Sequence, residues 1–126
     1  MSGVVSAFDH LDSIGPQQIW DGLLVRGVHG ERVTLALVEL EPGAVVPEHS
    51  HDNEQLGILI RGSLTFQIGD ESRDLAPGGT WRILSHVPHS VVTGPDGAVL
   101  VEVFAPIRDD WERFVPGEPQ PPDLFV

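Results

Sequence analysis

An all-β fold, either a barrel or a jelly-roll sandwich, is what this chain of 126 residues predicts. Three observations point there. Short apolar segments rich in Val, Ile, Leu and Phe run through the sequence, and no stretch sustains a helical period. Clusters of Gly, Pro and Asp separate these segments, and their backbone preferences suit tight turns between antiparallel strands. About eight short strands at this spacing are the pattern of a closed barrel or a double-sheet jelly roll.

In chain order, strands are expected at residues 23–26 and 33–40, followed by a turn at Glu41, Pro42 and Gly43. The next two, 55–61 and 63–68, are divided by a turn at Arg61 and Gly62. Gly69 and Asp70 lead into 71–75, and Ala76, Pro77, Gly78 and Gly79 lead into 80–84. The last two strands, 90–93 and 98–104, flank a turn at residues 94–97. Residues 109–114 suit one helical turn, whereas 116–123 hold too much proline for regular structure. The final Leu124, Phe125 and Val126 are apolar enough to dock. This divides the chain into an N-terminal segment (1–19), a barrel domain (20–115) and a proline-rich tail (116–126).

Strands 33–40 and 98–104 are apolar on both faces, whereas an antiparallel strand with one wet face alternates cleanly. A second sheet covers one face. The other requires a subunit interface or the chain's own termini, and a homodimer is the expectation.

The formal charge of −12, from 19 acidic against 7 basic residues, disfavours nucleic acid and anionic membrane surfaces as partners. The absence of cysteine excludes disulfides, thiolate ligands and a thiol nucleophile, so any metal must use His, carboxylate or amide ligands. The first ten residues show neither a basic leader nor a long apolar run, so a cytoplasmic protein acting on a small molecule is expected.

The chemistry concentrates in residues 49–55, where His49, His51 and Gln55 stand among Asp52, Asn53 and Glu54. In an extended segment His49 and His51 share a face, as two ligands of one ion must. Gln55 lies on the face opposite Glu54, so the amide oxygen is the expected fourth ligand; the alternative is that Gln55 bonds backbone and Glu54 binds the ion. His89 follows downstream and can complete a three-imidazole set, with His86 read as a loop residue at the mouth. Gly57, in phase with Gln55, is expected to leave room beside the ion. His10 and His29 receive no role.

Gly43, His49, His51, Gln55 and Gly62 fit the first cupin motif, Gly-x5-His-x-His-x3-Glu-x6-Gly, with glutamine at the glutamate position. Gly78 and His89 fit the second, Gly-x5-Pro-x-Gly-x2-His-x3-Asn, in which Leu84, His86 and Thr93 replace the proline, glycine and asparagine. Over residues 20–115 the chain thus resembles the cupins, which implies a double-stranded β-helix, usually dimeric, with one divalent transition metal (Mn, Fe, Ni or Zn) inside one mouth. Within that family the run from Val101 to Asp110 resembles the acid-x-Phe-x-Pro-x-Arg-Asp-Asp pattern of small pectin-degradation (KdgF-like) cupins, with Glu102 where aspartate is usual. These open the ring of an unsaturated uronate and promote its conversion to a linear keto acid. The resemblance makes Glu102 and Arg108 catalytic candidates, and Phe104 and Arg108 substrate-binding ones. Arg82 stands as a further substrate-binding candidate or as a structural partner of Glu102.

The physical chemistry is compatible with those roles. A carboxyl in phase with Leu100 and Phe104 is buried or in a pocket, which raises its pKa toward proton transfer. An arginine can grip a sugar carboxylate with two hydrogen bonds, although Arg108 could instead pair with Asp109 or Asp110 at the surface. Trp20, Trp81 and Trp111 read as packing residues, with Trp81 a candidate for the dimer contact. Three functions follow: a metal-dependent isomerase or tautomerase of a sugar acid or related polyhydroxy carbonyl compound, an iron-dependent dioxygenase, and a non-enzymatic small-molecule-binding cupin. The missing carboxylate ligand weighs against the dioxygenase, because an anionic donor would help to stabilise oxidised iron.

Overall fold

A computed structural model describes residues 6–122 of the chain. Eight strands form the body: β1 (Gln17–Trp20), β2 (Leu23–His29), β3 (Thr34–Leu40), β4 (Val45–His49), β5 (Glu54–Ile68), β6 (Glu71–Leu75), β7 (Thr80–Ile83) and β8 (His89–Ala105). All pairings are antiparallel, and β5 and β8 run alongside one another for their full lengths, from Glu54 opposite Ala105 to Ile68 opposite His89. The first half of β5 also pairs with β7 and the second half with β6. The first half of β8 pairs with β4 and the second with β3. Two long strands therefore belong to both sheets of a jelly roll, one sheet ordered β1-β2-β3-β8-β5-β7 and the other β4-β8-β5-β6. Among the described residues no helix is long and apolar enough to cross a membrane.

The passage between sheets explains one difference from expectation. Arg61 and Gly62, and residues 94–97, do not end strands; they bend strands that continue. Gly62 has φ +86°, and a Cβ there would overlap the Gly97 carbonyl oxygen, so the crossing of β5 over β8 requires a glycine. The register shifts on both sides of it.

Strands β1 and β4 were not expected. Each is short, and β4 carries Pro47, which lacks a ladder donor and is tolerated here at a sheet edge, where β4 pairs only with β8. Residues 109–113 form a single 3-10 turn, close to the expected 109–114.

The core between the sheets contains Val25, Val38, Leu59, Phe66, Ile83 and Leu100, all buried. The outer face of β3 and β8 is divided. Over one half, Arg26 pairs with Glu39 and its Nη2 donates to the Gln120 carbonyl (3.1 Å), so the tail lies over this face; Pro122 is fully buried. Leu37, opposite Arg26, and Val99 are buried accordingly. On the other half a cross-strand row of Val28, Leu35, Val103 and Leu56 stays 38–47% exposed. Leu124, Phe125 and Val126, expected to dock, lie outside the described residues.

Candidate metal centre

At one mouth of the barrel β4 ends and β8 begins, which places His49 directly opposite His89. His51 follows in the connection to β5. The outcome matches alternation, but the cause differs: β4 stops at His49, and His51 is held by a loop in which its own carbonyl accepts the His86 N–H (2.8 Å). The ligand-capable nitrogens of His49, His51 and His89 all lie within 4.8 Å of one another.

A common hydrogen-bond pattern fixes the three rings. Nδ1 of His49 lies 2.9 Å from the Pro47 carbonyl, Nδ1 of His51 lies 2.9 Å from that of Asn53, and Nδ1 of His89 lies 2.9 Å from that of Val87. A carbonyl only accepts, so each Nδ1 carries the proton and each Nε2 presents a lone pair in the neutral ring. Burial pushes His89 down to about 4, opposed by its backbone bond and aided by the neighbouring imidazoles and Arg108. His51 is lowered chiefly by burial and then by Arg108. Both rings are therefore neutral and competent as ligands near neutral pH.

Gln55 points inward from β5 and is buried, while Glu54 is exposed. Its Oε1 lies 3.1 Å from Nε2 of His51. With the His51 proton already on Nδ1, two lone pairs face each other, a contact that a shared cation would stabilise. Nε2 of His89 is likewise buried, with no hydrogen-bond partner among the described residues, an unmet acceptor that a metal bond would satisfy. These donors fit a divalent transition ion held by His49, His51, Gln55 and His89.

Behind Gln55 lies Glu102, opposite Gly57 and buried. Its Oε2 accepts both the Gln55 amide and the Trp81 indole N–H (2.9 Å). Burial raises its pKa, against the pull of Gln55, Trp81 and Arg108. Gly57 serves this arrangement rather than the ion, because the Trp81 indole occupies the space that a Cβ would take. Trp81 is accordingly an inward-facing member of the site and not a surface contact.

The centre opens into a cavity of about 470 Å³. Arg108 forms part of its wall. The guanidinium carbon sits 4.8 Å from the Phe104 ring centroid and 4.6 Å from that of Trp111. Asp110 takes the Nε (3.0 Å) and Nη2 (2.9 Å) donors in a bidentate pair, which lowers the Asp110 pKa. Arg108 is thus bound to Asp110 yet keeps its Nη1 edge. Arg113, on the same 3-10 turn, also lines the cavity.

Arg82 is not brought to the site. Trp81 and Ile83 face inward, so alternation turns Arg82 to the outer face opposite Leu56, away from both the cavity and Glu102. His86 stays outside the imidazole group, exposed, with Nε2 3.4 Å from Asp52 Oδ1. It adopts φ +64° at the position where the cupin motif has glycine. Trp20, expected to pack, does so with its ring centroid 5.2 Å from that of His49, and it lines the cavity together with Ile19, which the sequence does not single out.

Fold and donor set together define a small barrel protein with an imidazole-rich centre, and the comparisons identify the class: the Cupin domain family model matches residues 36–104, and the chain belongs to the cupin family. The pectin degradation protein KdgF of Dickeya dadantii is 31% identical over 78 residues, which span 61% of this chain and 71% of that protein. Solved structures share the fold. KdgF from Halomonas sp. superposes with a TM-score of 0.76 at 24% identity, covering 84% of this chain and 98% of that one. An RmlC-like cupin from Shewanella frigidimarina gives 0.78 at 21%, covering 85% and 96%. The chain is thus a small single-domain cupin similar to KdgF.

Proposed function

We propose that this cupin is a metal-dependent enzyme that opens the ring of an unsaturated uronate and converts it to the linear keto acid. The observation that carries the reading is the convergence, in one cavity, of an imidazole-amide donor set, a buried carboxyl and an arginine edge. The similarity to a pectin degradation protein supports the substrate class. His49, His51, Gln55 and His89 would hold one divalent ion, with Mn, Fe, Ni and Zn all compatible with these donors. When bound, the ion supplies Lewis acidity and charge stabilisation for a developing oxyanion.

The chain's own residues do the rest. Arg108 binds the substrate carboxylate through its Nη1 edge, while Asp110 and the flanking rings keep the guanidinium plane fixed. Phe104 presents its ring to the sugar beside Arg108. Glu102, with Oε2 occupied, uses Oε1 to take the hemiacetal hydroxyl proton. As the anomeric C–O bond to the ring oxygen breaks, its electron pair leaves on that oxygen, and a carbonyl and an enolate form. Glu102 returns its proton to the alkene carbon, which gives the ketone. Atoms and electrons balance with no oxidant. In a chain of charge −12, two of the seven basic residues, Arg108 and Arg113, line this cavity beside the acids Glu102 and Asp110, so the guanidinium edge gives a substrate carboxylate a local partner.

We also propose that the protein works as a homodimer in the cytoplasm, with the exposed row of Val28, Leu35, Val103 and Leu56 as the contact. The enzymatic reading is tested by mixing metal-loaded protein with an unsaturated uronate and following the absorbance of its conjugated double bond. Loss faster than the spontaneous rate is expected, without oxygen consumption; no acceleration would remove this substrate, and oxygen uptake would favour the dioxygenase.

A further inference from the structure

Gln55 differs from its three imidazole neighbours in one respect: its orientation is ambiguous. A backbone carbonyl locks each histidine with its lone pair inward, but a side-chain amide presents an oxygen or, after a half-turn, an NH2 group that cannot ligate. Something must hold the oxygen toward His51. The only described partner of the Gln55 amide nitrogen is Oε2 of Glu102, and that oxygen is fixed from the other side by the Trp81 indole N–H at 2.9 Å. Because the carboxylate oxygen accepts, the Trp81 indole and the Gln55 amide nitrogen both donate to it, and this orientation leaves the Gln55 Oε1 3.1 Å from His51 Nε2. Gly57 belongs to the same device, since it alone admits the indole behind the carboxyl.

We propose that Glu102 and Trp81 are positioning residues for the ligand Gln55, so that metal affinity itself, separately from turnover, depends on them. This rests on the metal centre proposed above. Outer partners of ligands change metal affinity by roughly 10- to 100-fold when removed, and an amide needs such a partner more than a symmetric carboxylate does. Glu102 therefore has a second role besides any proton transfer.

The experiment is calorimetric titration of chelator-stripped protein with Ni²⁺ and with Mn²⁺. Glu102→Leu is expected to weaken binding by roughly 10- to 100-fold, and Trp81→Phe by less. Glu102→Gln should bind metal like the parent, because its amide oxygen can accept from both Trp81 and Gln55 while its proton chemistry is gone. The decisive arm repeats Glu102→Leu on a Gln55→Glu background: a glutamate has two equivalent oxygens and needs no orientation, so the loss should disappear. An equal loss in both backgrounds would overturn the inference in favour of a general structural effect, as would unchanged affinity in Glu102→Leu. Failure of the parent protein to bind either ion would overturn the metal centre as well.

Discussion

His89 combines burial, an Nδ1 committed to the Val87 carbonyl and an Nε2 without a partner among the described residues, and these conditions make it the most sensitive of the four donors. Its folded-state pKa, about 4, lies below the unfolded value of 6.5, so the unfolded chain binds the extra proton between those limits. The stability it contributes is present above about pH 6.5 and lost as pH falls toward 4. Urea unfolding of metal-free protein should therefore show a falling midpoint over this window, and His89→Phe should flatten the slope; a slope unchanged by that substitution would move the titration elsewhere. Glu102→Gln should lower turnover by roughly 10²- to 10⁴-fold, the range of general acid-base contributions, in the uronate assay. An unchanged rate would confine the carboxyl to holding Gln55 and Trp81. Residue identity made much of this centre readable, since His49, His51, Gln55 and His89 are defined by spacing. The orienting bonds are not legible in the sequence: Glu102 reaches Gln55 and Trp81 only through cross-strand register, and the outward face of Arg82 is set by the pairing of β7 with β5.

At the scale of elements, the packing of β5 against β7 and β8 decides the site. Gly57 sits between Trp81 on β7 and Glu102 on β8. Gly57→Ala should destabilise by about 1–3 kcal/mol, because the added methyl overpacks the indole, and should weaken metal binding by displacing the Trp81 N–H. A urea midpoint equal to that of the parent would show that the indole can retreat freely. Most strands are legible as apolar segments, but the two longest read as four. Gly62 and residues 94–97 have turn composition, and local chemistry alone does not distinguish a chain reversal from a bend that carries a strand into a second sheet. The edge strand β4, which delivers His49, was hidden by Pro47. The connection holding His51 depends on a bond from His86, far along the chain.

For the whole molecule, the doubly apolar character of β3 and β8 has two outcomes. The tail covers one half of the outer face through Arg26 and Pro122, and the other half retains the exposed row. Leu56→Glu with Val103→Glu should shift the mass measured by light scattering from dimer toward monomer while leaving metal stoichiometry at one per chain; a parent that is monomeric at micromolar concentration would remove this interface. The proposed reaction is metal-dependent conversion of an unsaturated uronate in the cavity bounded by the histidines and Arg108. Its most direct test is the rate of loss of the conjugated double-bond absorbance with metal-loaded, chelated and reloaded protein. Loss accelerated by the loaded protein, abolished by chelation and restored on reloading is the predicted result. A rate equal to the spontaneous one in all three would rule this reaction out.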